Sequence, residues 1–91
     1  MLVLIKSAPN TVEGKRGLKI ARDTSSDIVL LQDGVYFMVN EMLDGYCGTA
    51  YAIEEDVSLR GLGDIRTGVK IINWDGLIDM ATEEDKVVGM F

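Results

Sequence analysis

The side chains able to do chemistry in this chain are few, and one absence narrows the field first. Histidine does not occur, which removes the usual general base near neutral pH, the Ser/His and Cys/His nucleophile pairs and most zinc sites. The single cysteine, Cys47, stands in GYCGT just before a run that reads as a strand. A thiol becomes nucleophilic when a cation, a metal or a helix N-terminus lowers its pKa, and no Lys or Arg lies within ten residues of Cys47 in the sequence. Cys47 is the candidate carrier of a transferable sulfur, set against the ordinary role of a free cysteine as a small hydrophobe. Two acidic runs, Glu54-Glu55-Asp56 and Glu83-Glu84-Asp85, offer the oxygens that hard cations take. Neighbouring carboxylates on a helix point different ways, so both runs read as caps or solvated faces and no metal is expected.

Glycine-rich stretches fare no better. GLGDIRTG, Gly61 to Gly68, opens like a dinucleotide fingerprint, but Arg66 stands in the place of the third glycine and the stretch ends a helix instead of starting one. EGKRG, Glu13 to Gly17, lacks the upstream glycine and the following Ser or Thr of a phosphate loop and reads as a solvated helix face. No cofactor is expected.

Bulk properties limit what must position these residues. The 91 residues make one domain, 1–91, with a thin core. Hydrophobic residues are 47% of the chain but only one is Trp, three are Tyr and two are Phe. Such aliphatic content suits a sheet covered by helices or by a partner subunit. The net charge of -6 repels phosphate backbones, which argues against direct nucleic-acid binding. No run approaches the roughly 20 apolar residues of a membrane span. MLVLIKSAPN has neither a basic leader region nor a long apolar one, and a lone cysteine fits a reducing compartment, so a cytoplasmic location is expected.

LVLIK, Leu2 to Lys6, reads as a buried strand, and Pro9, with Asn10 and Glu13 as a capping box, opens a helix to about Arg22. DIVLL from Asp27 is the second strand. Its continuation, LLQDGVYF, places Asp33-Gly34 between two apolar runs, the pattern of a tight hairpin. Val35, Met38, Val39, Met42 and Leu43 nevertheless recur at i, i+3, i+4, i+7 and i+8, so the spacing predicts a helix with Asp33 as its N-cap. Thr49 to Ile53 is a third strand. EEDVSLRGLG makes a short helix closed by Gly61 or Gly63, with Asp56 and Arg60 in a favourable i, i+4 order. Val69 to Asn73 is a fourth strand, followed from about Asp75 by a helix with Leu77, Ile78 and Ala81 on one face. VVGMF ends the chain as an apolar tail that reads as an interface.

Strands alternating with helices indicate βαβ units, hence a small flavodoxin-like three-layer α/β domain with a mostly parallel sheet of four to five strands. In such sheets ligands and partners gather outside the carboxyl ends of the strands, which draws attention to Gln32, Asp33 and Gly34.

LLQDGVY from Leu30, YAIEEDVSLRGL from Tyr51 and VKIINWDGLIDMAT from Val69 together resemble the DsrH/TusB family of sulfur-relay proteins, in order and spacing. The resemblance rests on Asp33 and Gly34, on Asp56, Arg60 and Gly61, and on Asp79 with Thr82. It implies a flavodoxin-like subunit that joins DsrE/TusD-like and DsrF/TusC-like chains in a relay passing persulfide sulfur, toward 2-thiouridine at the tRNA wobble position or in dissimilatory sulfur metabolism. It further implies that the principal sulfur-bearing cysteine belongs to the DsrE/TusD-like chain. Some DsrH-type members carry a cysteine in the first helix, near Gly17 here; Cys47 lies elsewhere, so the family's cysteine does not transfer to it. A non-catalytic subunit follows, homo-oligomeric when isolated, with a small sulfurtransferase using Cys47 or a stand-alone ligand-binding oligomer as the alternatives.

Overall fold

The computed structural model describes residues 1–39, 43, 46, 48–62, 68–84 and 86–89. Their elements are β1 Leu2–Ile5, α1 Val12–Thr24, β2 Asp27–Leu30, a 3₁₀ helix Gln32–Met38, β3 Ala50–Ile53, α2 Glu54–Leu59, β4 Lys70–Ile72, α3 Trp74–Glu83 and β5 Val87–Val88. All strand pairs are parallel, in the order β4-β3-β2-β1-β5. The chain steps in one direction from β1 to β4 and then returns across the sheet to β5. Parallel crossovers keep one hand, so the return step puts its helix on the opposite face from the earlier connections.

The core obeys that rule. Val3, Ile5, Ile28, Leu30 and Ala52 face Ala21 of α1, Val35, Phe37 and Met38 of the 3₁₀ helix, and Val57 of α2. Leu2, Val29, Leu31 and Ile53, the alternate positions, face Leu77 of α3. Three layers result, the small flavodoxin-like arrangement that the alternating pattern predicts. Burial of each central side chain such as Ile28 or Leu30 contributes about 1.5–3 kcal/mol.

Several local expectations need correction. The N-cap of α1 is Thr11, one residue after the expected Asn10: its Oγ1 accepts from the Gly14 amide at 3.0 Å and its hydroxyl donates to the Ala8 carbonyl at 2.6 Å, so one side chain serves two backbone groups. After β2 a helix does form and the hairpin does not, but it is a 3₁₀ helix ending at Met38, with Val39 already extended. Its three-residue repeat buries Gly34, Val35, Phe37 and Met38, which includes the Phe37 that an α-helical stripe leaves out. Leu43 packs on the core; Met42 lies outside the described residues. Leu31 occupies the N-cap position with no side-chain bond, so Asp33 is not a cap. In α3, Leu77 is buried but Ile78 is exposed, because Met80 takes the place beside Leu77. Val87 and Val88 of the apolar tail pair with Leu2 and Val3 as an edge strand; Met90 and Phe91 lie outside the described residues.

Candidate functional site

The carboxyl end of β2 is where the polar residues of the sequence motifs converge. Gly34 packs so tightly against β1 that a Cβ there would stand 2.1 Å from the Ile5 carbonyl oxygen, and its amide donates to the carbonyls of Lys6 and Leu31. The left-handed residue of this turn is Gln32, at φ 50°. A side chain in that region costs on the order of 1–2 kcal/mol.

Asp56 holds the strained turn in place. It lies in the first turn of α2, directly after β3, and its Oδ2 accepts from the Gln32 amide at 2.8 Å. One turn later Arg60 grips two carboxylates from different elements. Its Nη1 lies 3.6 Å from Asp56 Oδ1 and donates to the Asp56 carbonyl, while Nε and Nη2 donate to Asp33 Oδ1 at 3.1 and 3.0 Å. Side-chain exposure is 11% for Asp56, 21% for Arg60 and 61% for Asp33, so the cluster is a half-buried clasp with one carboxylate at its rim. Gly61, at φ 67°, then ends α2: its amide donates to Ser58 and that of Leu62 to Val57, the paired bonds of a Schellman cap.

Five of the positions singled out in the sequence, Asp33, Gly34, Asp56, Arg60 and Gly61, thus meet in one piece of structure. The sequence motifs named them separately, and nothing in either motif shows that Arg60 reaches across to Asp33. Asp79 is not among them; it is exposed on α3, which covers the opposite face of the sheet. Gln32, singled out with Asp33 and Gly34 at the strand end, takes part through its backbone, and neither its amide's acceptor nor its φ has a local sequence signal. An open cavity of 380 Å³ adjoins the same end of the sheet, lined by Ala8, Pro9, Asn10, Tyr36 and Val39. Tyr36, three residues from Asp33 along the 3₁₀ helix, shares its outer side with Asp33.

At the other end of β2 the fastening is neutral or singly charged. The Tyr46 hydroxyl donates to the Ser26 carbonyl, and the Thr49 amide donates to Asp27 Oδ1 at 2.9 Å. The guanidinium of Arg22 lies 5.7 Å from the centre of the Tyr46 ring. Cys47 itself is outside the described residues, as are Gly63 to Thr67 of GLGDIRTG. In EGKRG the charged Glu13, Lys15 and Arg16 are exposed and the two glycines buried, as a solvated helix face requires. Of the first acidic run, Asp56 belongs to the clasp and Glu55 accepts from the Trp74 indole at 3.3 Å. No three His, Cys, Asp or Glu among the described residues converge as a metal site, and no described helix is long and apolar enough to cross a membrane.

A family model described as DsrH like protein matches residues 6–87, a span that contains the whole clasp. The fold is similar to that of the ychN protein from E. coli, with a TM-score of 0.84 at 17% identity over 98% of this chain and 97% of that one. It is also similar to protein Tm0979 from Thermotoga maritima, with a TM-score of 0.68 at 25% identity over 98% and 100%. No curated protein matches the sequence significantly.

Proposed function

This chain belongs to the DsrH-like family and is a sulfur-relay-related protein; from that premise we propose that it is an accessory, non-catalytic subunit of an intracellular persulfide relay, working beside DsrE/TusD-like and DsrF/TusC-like chains. The relay serves wobble-uridine thiolation or sulfur oxidation. One observation supports the non-catalytic reading: the family-motif carboxylates at the end of β2, Asp33 and Asp56, are both engaged. Asp56 is committed to the Gln32 amide and Asp33 to Arg60, so these two carboxylates shape the turn after β2. The missing histidine agrees, because persulfide transfer needs thiolates and no charge-relay base. Tagged protein isolated from its native host is expected to bring DsrE/DsrF-like chains with it in fixed ratio; isolation without either chain contradicts the reading.

A second reading, persulfide carriage on Cys47, draws support from Arg22. The fold sets that cation against Tyr46, the residue before Cys47, although none lies nearby in sequence. Incubation with a cysteine desulfurase and cysteine, followed by intact-mass measurement, separates the two. The accessory reading expects no sulfur adduct, and the carrier reading expects one that Cys47→Ser abolishes.

A further inference from the structure

The outer side of α3 carries hydrophobic groups that its own packing does not use. Leu77 and Met80 join the core beneath the sheet, whereas Trp74 and Ile78 are 43% and 60% exposed. These two are four residues apart and therefore stacked on one flank of the helix, and the exposed Asp75 and Asp79 form the next row. Tyr51 of β3 and Ile72 of β4 lie on the same sheet face and are only half-buried. The Trp74 indole is anchored to Glu55, so a partner that covers the ring has less side-chain freedom to quench. An exposed, pre-positioned Trp beside an aliphatic residue is the composition of a binding hot spot.

Charge decides what sits there. Glu55 is bonded to the Trp74 indole, and the exposed Asp75 and Asp79 form the adjoining row of α3. Among the described residues of α2, β4 and α3 the cation is Lys70, and Arg60, directly after α2, is held by Asp33 and Asp56. A second copy of the chain meeting this flank across a two-fold axis would set the same carboxylates against each other, in a molecule whose net charge is already -6.

We propose that the Trp74–Ile78 flank of α3 docks a different protein chain, one that presents an apolar side chain to Trp74 and Ile78 and lysines or arginines to Asp75 and Asp79. The proposal deepens the subunit reading above and rests on it.

The test uses tagged full-length protein in its native host, with recovered chains identified by mass spectrometry and a photo-crosslinking residue placed at position 78. Val12→Glu serves as control, because Val12 is 67% exposed on α1, across the sheet. Wild type and Val12→Glu are expected to recover the same DsrE- or DsrF-like chain equally, and Ile78→Glu about tenfold less or worse. Asp75→Lys with Asp79→Lys is expected to lower recovery as well, and the crosslinked peptide is expected to contain apolar residues together with Lys or Arg. If a folded Ile78→Glu, shown by an unchanged thermal midpoint, recovers that chain as well as wild type does, the docking surface is wrong while the subunit reading stands. If wild type brings down no such chain, the subunit reading fails and takes the proposal with it. If wild type sediments as a dimer that Ile78→Glu dissolves, the occupant is a second copy and the proposal is overturned.

Discussion

The two ends of β2 are fastened by different chemistry. At the carboxyl end, Asp56 and Arg60 reach from α2 to Gln32 and Asp33 with charged groups that are mostly withdrawn from water. At the amino end, the Tyr46 hydroxyl and the Thr49 amide bond to Ser26 and Asp27, and the chain between them contains the only sulfur nucleophile. The strand separating the ends, Asp27–Leu30, is about 13 Å long at the usual rise per residue. The difference teaches that the recognisable motif gathers its charged groups at one end of the strand and leaves the other end to uncharged donors. Motif residues fix the shape of the sheet at the carboxyl end of its central strand.

The sharpest way to break the comparison is Asp56→Ala. It leaves the Gln32 amide without its acceptor and Arg60 without its inner carboxylate, and is expected to lower stability by about 3 kcal/mol in urea titration. A loss below about 1 kcal/mol would mean that the clasp is decoration. At the amino end, Tyr46→Phe removes a single uncharged donor and is expected to cost about 1 kcal/mol. Gln32→Gly relieves the left-handed strain at the expense of a more flexible unfolded chain, so its expected effect is a stabilisation of about 0.5 kcal/mol. Asp33→Asn is the smallest. Its carboxylate is 61% exposed, so the ion pair with Arg60 contributes about 0.5 kcal/mol or less and should fade with added salt.

Much of the fold was legible in the sequence, for physical reasons that can be traced. The aliphatic runs LVLI and, after Asp27, IVL have no polar face to show, as strands covered on both sides require, and the i, i+3 spacing after Gly34 correctly opposed a hairpin. What the sequence could not display were choices made by tertiary contact. Period three and period 3.6 agree over Val35 and Met38 and part at Phe37, whose burial against the sheet settles the tighter helix. Asp33 has the composition of a cap and is instead claimed by Arg60, twenty-seven residues away in sequence. Asp33-Gly34 has the pattern of a tight hairpin turn; the actual constraint on Gly34 is the Ile5 carbonyl, and the left-handed conformation falls to Gln32. The pairing of Val87 and Val88 with β1 depends on the opposite end of the chain and has no local signal.

The central claim, that this DsrH-like chain shapes a relay without carrying its sulfur, is tested most directly in the assembled complex. Sulfur delivered per complex to the terminal acceptor is measured with wild-type protein and with Cys47→Ser at equal stoichiometry. The accessory reading predicts equal rates within error. Loss of transfer in an intact Cys47→Ser complex would contradict it and make Cys47 a carrier of the relay's sulfur.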